Sequence, residues 1–508
     1  MRSLLRKLAV VLVVVWLFGR ITNLVSGVFG PATPVAWLVL LVGAVVVWRV
    51  SVRLREVRPW SWWPVFGAPV AVWWMLRTWS AASEELGLSV PAARSGRFGL
   101  INGPSGGLVV RGTPLKVIAP RRVGLRVRES GLEVRVRLAP GQTPAQFERA
   151  AEGLAHAWRI HRVRVEVPRP GLVTLVGLGF DPLRHPKPRH AQEIAAVGHD
   201  PVELPSSEED GRERVEYGSE VMAPVRAEAT PADLSVSVGI REDSHPWLLD
   251  LTRRPHYLVC GATRSGKSTL TVRMLAELAR RPVGLVGIDA KNGMELSPFG
   301  PRLSALAVNR AEAAAAIDGL LGVLELRTMT CREHGARSIW DLPSSVRPWP
   351  IVVVVDEVAE LMLAADKPGK EEAARCIQGL IRLGQLGAAL GIHLWVSGQR
   401  FGSDLGPGAT LLRAQLAGRV CHRVADAETA AMTLAGLPAE AVLEAQKIPA
   451  DLAGVAVAGD DSGAWHLVRS DPMDITEAAA LASQYARLCL DLPEVEAAVH
   501  RVRLGGGW

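Results

Sequence analysis

"GATRSGKST" (residues 261–269) stands between the apolar run "HYLVC" (256–260) and a segment in which Leu270, Met274, Leu275 and Leu278 recur at helical spacing. Strand, glycine-rich loop and helix together turn a match to the pattern G-x-x-x-x-G-K-[ST] into a structural expectation. Gly261 and Gly266 let backbone N–H groups wrap phosphates, and the helix N-terminus adds partial positive charge. Lys267 would reach the β- and γ-phosphates of a nucleoside triphosphate, and Ser268 would ligate magnesium. The nucleotide-binding candidates are therefore Gly261, Ala262, Thr263, Arg264, Ser265, Gly266, Lys267, Ser268 and Thr269. A glycine-rich turn that merely contains a lysine has no need of the strand, the helix or the following hydroxyl.

A second half-site lies at the end of "IVVVVDEVAELM" (351–362), where an unbroken β-branched run leads into two adjacent carboxylates. Asp356 would hold the magnesium through water, and Glu357, turned toward the γ-phosphate, would polarise the attacking water. A helix cap is the plain alternative for such a pair. A phosphate loop upstream and a buried-type strand leading in favour hydrolysis over it. "GIHLWVSGQR" (391–400) ends a further strand in Gln399, an amide placed to sense the γ-phosphate. "VGLVGIDAKNGMEL" (283–296) supplies one more strand, ending in Asp289, and "NRAE" (309–312) opens a long alanine-rich helix as a capping box. The catalytic candidates are Lys267, Glu357 and Gln399; the metal ligands are Ser268 and Asp356, with ATP and Mg2+ as cofactors. Strands and helices alternate across 235–470, which predicts an α/β, RecA-like motor on a mainly parallel, doubly wound sheet with its ligand at the carboxyl ends of the strands.

A chain of 508 residues should hold two or three domains. Residues 1–80 read as a membrane region. The apolar runs "LAVVLVVVWLFG" (8–19) and "PVAWLVLLVGAVVVW" (34–48) predict a hairpin of two membrane-spanning helices, 8–26 and 33–48. Arg2, Arg6 and Lys7 precede the first span, and Arg49, Arg53, Arg55 and Arg58 follow the second. That asymmetry places the N-terminus, the motor and the C-terminus in the cytoplasm of a multi-pass cell-membrane protein. The tryptophan-rich "WSWWPVFGAPVAVWWML" (60–76), broken by Pro64 and Pro69, reads as interfacial or re-entrant.

Residues 100–180 predict a small ββαββ domain of α+β type. "VGLRVRES" and "GLEVRVRL" form a hairpin, Thr143 and Pro144 open a helix, and "HRVRVEV" and "LVTLVGL" follow. Arg126, Arg128, Arg135, Arg137, Arg162 and Arg164 make a stripe that either contacts phosphates or is a solvated sheet face. A Pro- and charge-rich linker spans 181–234, and two short helices form a tail over 471–508, the first opened by Asp474 with Glu477 as its box partner. The net charge of +7 admits nucleic acid or anionic lipid as a partner and decides between neither. Five scattered cysteines exclude a zinc site or a disulfide framework and fit buried thiols in a reducing compartment.

The motor sequence resembles the FtsK/SpoIIIE ATPases. "IDAKNGMELSPF" (288–299) is similar to that family's Asp-x-Lys-x-x-x-Glu-Leu segment, through Asp289, Lys291, Glu295 and Leu296. "RLGQLGAALGIHLWVSGQR" (382–400) resembles its Gly-Ile-His-Leu…Gln-Arg segment, and "GRVCHRVADAETAAMTL" (418–434) its following strand and helix. The resemblance implies a homo-oligomeric ring, a hexamer, that pumps double-stranded DNA beside a membrane. A membrane hairpin, a strand-rich domain, a linker and a single motor resemble the conjugative transfer branch of actinomycetes, which implies transfer of plasmid or element DNA between cells, with other transfer proteins as further partners. Ala388 and Phe401 depart from the family's usual arginine and proline, leaving Arg382, Arg413 and Arg419 as candidates for the arginine that completes a neighbour's site. Many members end in a winged helix, for which the tail is too short. A protein-secretion ATPase, a chromosome-segregating translocase and a membrane-anchored organiser that hydrolyses little stay open as alternatives. The single phosphate loop disfavours the first of these, and the intact Lys267, Asp356 and Glu357 disfavour the last.

Overall fold

A computed structural model describes residues 33–91, 117–185, 234–402, 405–460 and 462–505. The chain divides into two compact units, Met1–Asp181 and Pro182–Trp508.

In the first unit, helix α1 (Thr33–Val57) leads through a short helical turn and a π-helical turn, Trp63–Gly67, into α2 (Ala68–Glu85). The expected span 8–26 lies outside the described residues. The second, 33–48, falls within α1, whose side chains are described from residue 41. Among the described residues no helix is long and apolar enough to cross a membrane.

Strands β1 (Arg121–Arg128) and β2 (Gly131–Arg137), helix α3 (Pro144–Trp158), and strands β3 (Arg162–Arg169) and β4 (Leu172–Leu178) form the expected ββαββ unit. Its four strands lie antiparallel in the order β1-β2-β4-β3. Period-two alternation puts Leu132, Val134, Val136, Val173 and Leu175 on one face of the sheet, where Phe147, Leu154 and Trp158 of α3 cover them. Pro144 sits at the first helical position, and the Thr143 N–H donates to Gln146 Oε1 at 3.2 Å.

The tryptophan-rich stretch corrects a sequence expectation. Trp63, Ala68, Ala71, Met75 and Trp79 lie in the same core as the sheet, so this segment belongs to the small domain and is not a re-entrant loop. The Trp63 and Trp79 indole N–H groups donate to Arg128 O at 3.1 Å and Pro120 O at 3.0 Å. The reason is amphipathic in an unusual way. Helix α2 is apolar on two faces: one packs on the sheet, while Val70, Trp73 and Leu76 on the other are exposed. Hydropathy records both faces and cannot say that one of them finds protein.

The second unit is a ten-stranded sheet with helices on both sides. Its strands, in chain order, are β5 (Ser235–Arg241), β6 (Pro246–Asp250), β7 (His256–Cys260), β8 (Gly284–Ile288), β9 (Ala305–Ala307), β10 (Ile351–Val355), β11 (Ile392–Gly398), β12 (Gly418–His422), β13 (Val455–Gly459) and β14 (Trp465–Ser470). Spatially the order is β9-β8-β10-β11-β7-β12-β13-β14-β5-β6. The first six are parallel, as expected for an α/β motor. The remaining neighbours pair antiparallel, so the sheet is mixed rather than parallel throughout. Tight turns account for two of these four pairings: Ser244 (φ 68°) and Gly463 (φ 81°) lie in the connections from β5 to β6 and from β13 to β14, and a connection that short permits only a hairpin.

Helix α4 (Lys267–Ala279) follows the phosphate loop, and α5 (Arg310–Glu333) is capped by Asn309, whose Oδ1 accepts Glu312 N–H at 2.9 Å. The return half of the expected capping box differs, since the Glu312 carboxylate accepts Asn309 Nδ2 at 2.9 Å and Val308 N–H at 3.1 Å rather than the Asn309 backbone N–H. After β10 come α6 (Val358–Met362) and α7 (Lys367–Leu390). The expected tail forms α11 (Ile475–Gln484) and α12 (Pro493–Gly505), following three short helices between β11 and β13. Asp474 caps α11 through Thr476 N–H at 2.8 Å. These helices are part of the motor rather than an appendage. Ala478 and Ala482 enter the core on one side of the sheet, and Leu492, Val495 and Val499 enter it on the other. A side chain at Gly319 of α5 would run into the Val495 backbone, so only glycine admits α12 this closely.

Candidate nucleotide-binding and hydrolysis site

Parallel pairing brings β7, β10 and β11 side by side with their carboxyl ends together, which gathers loop 261–266, the Asp356–Glu357 pair and Gln399. Arg264 (φ 61°) and Gly266 (φ 108°) take left-handed backbone, which curls the loop. Two glycines are sterically required. A Cβ at Gly261 would meet Ser265 Oγ and come within 2.8 Å of His422 Cβ, and one at Gly266 would strike the Gly454 backbone. Gly454 N–H in turn donates to Ser265 O at 2.9 Å, and Ala262 N–H to Arg423 O at 2.9 Å. The loop is thus braced from below by β12 and from the side by the turn before β13, neither visible in the local motif.

Lys267 Nζ lies 3.1 Å from Glu357 Oε2 and 3.4 Å from Asp356 O. Glu357 is buried, and its other oxygen accepts the Gln399 backbone N–H at 3.1 Å. Gln399 is therefore in the site, but through its backbone, while the residue itself is exposed at the strand end. Lys291 adds a second ammonium 3.6 Å from Glu357 Oε2. Its position is set by Asp289, whose carboxylate accepts N–H groups of Lys291 (3.2 Å), Glu295 (2.8 Å) and Leu296 (3.3 Å) and so folds the loop over the site. Lys291 came from the sequence only as part of a family pattern; its distance in sequence from the phosphate loop hid its proximity.

Burial pushes the Asp356 carboxyl up to about 6, and the nearby Asp289, Glu295 and Glu357 act in the same direction against Lys267. A carboxylate so placed gains from a cation beside it. The residues fit a nucleotide with magnesium: the Ser265 hydroxyl is buried without a protein hydrogen-bond partner, the loop leaves room only for glycine, and an oxygen donor, Ser268, stands in the first turn of the helix that the loop opens.

A transfer protein of Streptomyces ambofaciens, TraSA, is 35% identical over 434 residues, covering 83% of this chain and 94% of its own. The FtsK/SpoIIIE family matches residues 220–348 and 341–403, and the actinomycete conjugal transfer protein N-terminal domain matches 50–179. The chain belongs to the FtsK/SpoIIIE family. A Streptomyces azureus protein described as a sporulation regulatory protein is 47% identical over 246 residues, 48% of this chain and 81% of its own. Among solved structures, the pCW3 conjugation coupling protein TcpA in a monomer form with ATPgS aligns over 78% of this chain and 93% of its own, at 18% identity and a TM-score of 0.44, too distant to add weight. The match over 50–179 begins within α1 and takes in α2, in agreement with a small domain that includes the tryptophan-rich segment.

The two departures from the FtsK/SpoIIIE pattern have structural counterparts. Phe401 is buried in the core, and its carbonyl accepts Arg413 Nη1 at 3.1 Å. The Ala388 carbonyl accepts the Trp340 indole N–H at 3.1 Å. Arg419 donates to Arg413 O at 3.1 Å. Of the three arginine candidates, two are engaged within their own chain, and Arg382 stands exposed on α7.

Proposed function

We propose that this ATPase hydrolyses ATP with magnesium to drive double-stranded DNA from cell to cell in conjugal transfer, working as a membrane-anchored ring. The observation that carries the hydrolytic reading is the buried Glu357 held 3.1 Å from Lys267 Nζ at the carboxyl end of a parallel sheet. In this reading loop residues 261–269 wrap the phosphates, Lys267 turns from Glu357 to the β- and γ-oxygens, and Ser268 and Asp356 hold magnesium. Bound magnesium would neutralise charge on the phosphates. Released from the lysine, Glu357 orients the attacking water and takes its proton, while the backbone N–H of Gln399 fixes the carboxylate. Gln399 follows strand β11 directly, and that strand would link the state of the γ-phosphate to the rest of the motor.

The DNA substrate and the conjugal role rest on the family and on the likeness to a transfer protein that runs through both units. Membrane anchoring is supported by the exposed Leu41, Val42 and Val45 to Trp48 of α1 and by the arginines that follow them. A ring is supported by the exposed Arg382, available to a neighbouring subunit. The test is the ATPase rate of the full chain in detergent, with and without linear duplex DNA, beside Glu357→Gln. A severalfold rise with DNA that vanishes in the variant is expected. A rate indifferent to DNA in assembled protein would overturn the DNA reading and point to a protein cargo.

A further inference from the structure

We infer that the open face of the small domain's four-stranded sheet binds the phosphate backbone of duplex DNA, a contact separate from the motor. The inference rests on the translocase reading and adds a second place where the polymer is held.

The stripe of six arginines seen in the sequence lies on one side of this sheet. The residues opposite one another across the strands are Arg126 and Glu133, Glu133 and Val176, Arg135 and Thr174, and Arg164 and Val176. Residues alternate between the faces, so Arg126, Arg128, Arg135, Arg137, Arg162 and Arg164 share the side turned away from Leu132, Val134 and Val136. The bulge between Arg122 and Gly124 adds a seventh. It sets Arg121 opposite Arg137 on this face and sends Arg122 to the other, over the Trp79 ring. Against these arginines stand two acids, Glu133 and Glu166.

Three observations favour a polyanion. Glu133 is buried and clamped by Arg128 Nη2 at 2.6 Å and Arg135 Nε at 2.9 Å, so the face is ordered with its one central acid already neutralised. Arg121 and Arg137, both exposed, face each other directly. Like charges so placed destabilise a sheet, and an anion between them removes that cost. Finally, arginines recur every ~6.8 Å along a strand, as Arg126 and Arg128, Arg135 and Arg137, and Arg162 and Arg164, and they lie on three of the four strands, a spread that suits a run of phosphates better than a single ion.

A lipid surface is the competing polyanion, and the fold argues against it. The domain's exposed apolar side chains include Val70, Trp73 and Leu76 on α2, and Leu125 and Val127 on β1, which pair with Val134 and Leu132 and so lie on the face away from the arginines, while Val123 and Val167 fall at the two bulges. A bilayer that takes this helix face cannot also reach the arginines, which point out of the opposite side. The arginine face therefore turns toward the cytoplasm, where the transported polymer is.

The test compares the full chain in detergent with the triple variant Arg121→Gln, Arg126→Gln, Arg137→Gln, which spares the arginines on Glu133. Duplex binding is titrated without nucleotide from low to moderate salt. The slope of log K against log salt should fall by about 3 and affinity at 0.1 M salt by about tenfold or more, regardless of DNA sequence. DNA-independent ATPase and melting temperature should be unchanged or slightly higher, since a like-charge pair is removed. Wild-type affinity and slope in the variant would overturn the inference and leave the motor reading standing. Loss of binding to vesicles of anionic lipid with DNA binding intact would also overturn it, in favour of a lipid contact. Absence of duplex binding by the wild type, with an ATPase blind to DNA, would overturn both.

Discussion

At the scale of single residues, the site depends on a few side chains whose roles separate by measurement. Glu357→Gln keeps the acceptor for Gln399 N–H but cannot take a proton, so nucleotide affinity should stay within a fewfold while turnover falls by about 10²-fold or more. Lys267→Ala should lose both, because the ammonium serves binding as well as charge in the transition state. Measuring nucleotide affinity beside the steady-state rate separates the two. Gly266→Ala puts a methyl into the Gly454 backbone at φ 108°; the expected result is a melting temperature several degrees lower and no nucleotide binding. The phosphate loop, Asp356 and Glu357 were legible in the sequence because each is a local pattern on a recognisable strand end. The role of Lys291, seen only as part of a family pattern, and the presence of Gly454 at the site were not: strand order carries both to the loop.

Among secondary elements, α12 looks dispensable from its terminal place and short length, yet its apolar stripe fills the groove along α5. Arg503 reinforces it with a bond to Leu306 O at 2.6 Å and another to Glu312 Oε2 at 2.9 Å. Val495→Ala should cost about 1–3 kcal/mol, read as a lower denaturant midpoint at unchanged slope. Arg503→Ala should cost less, since the pair it makes is partly exposed. Helix α2 has the complementary lesson. A cut at residue 80 falls inside it and strips Trp63, Met75 and Trp79 from the small domain's core, so that fragment should aggregate, whereas a fragment from residue 182, the boundary of the second unit, should stay folded.

Across the motor as a whole, three buried histidines set its response to acid. Burial foremost pushes His256 and His422 down to about 4 and His393 down to about 3, the last helped by the neighbouring His256 and Arg327. Each folded value lies below the ordinary 6.5, so the unfolded chain takes up protons first. Their contribution is complete above about pH 6.5 and drains away as pH falls toward 4, on the order of 1–2 kcal/mol per histidine at pH 5. Melting temperature should therefore drop steeply over that window, and His393→Phe, next to Trp340, should flatten the fall; a profile unchanged in the variant would remove His393 from the account.

By itself the sequence determined the elements and the chemistry held within one of them. Periodicity marked the strands and helices, Asn309 and Glu312 marked a helix start, and glycine, lysine and paired carboxylates at strand ends marked a phosphate site. These are properties of neighbours along the chain, where spacing alone fixes which side chains share a face. Tertiary structure decided what each face meets. It paired β13, β14, β5 and β6 antiparallel onto a parallel sheet, folded the tryptophan-rich segment into the small domain, put Gln399 N–H rather than its amide on Glu357, and used a bulge to add Arg121 to the arginine face. An apolar stripe records that a residue must leave water; the partner that covers it is chosen by packing and hydrogen-bond satisfaction across the whole fold.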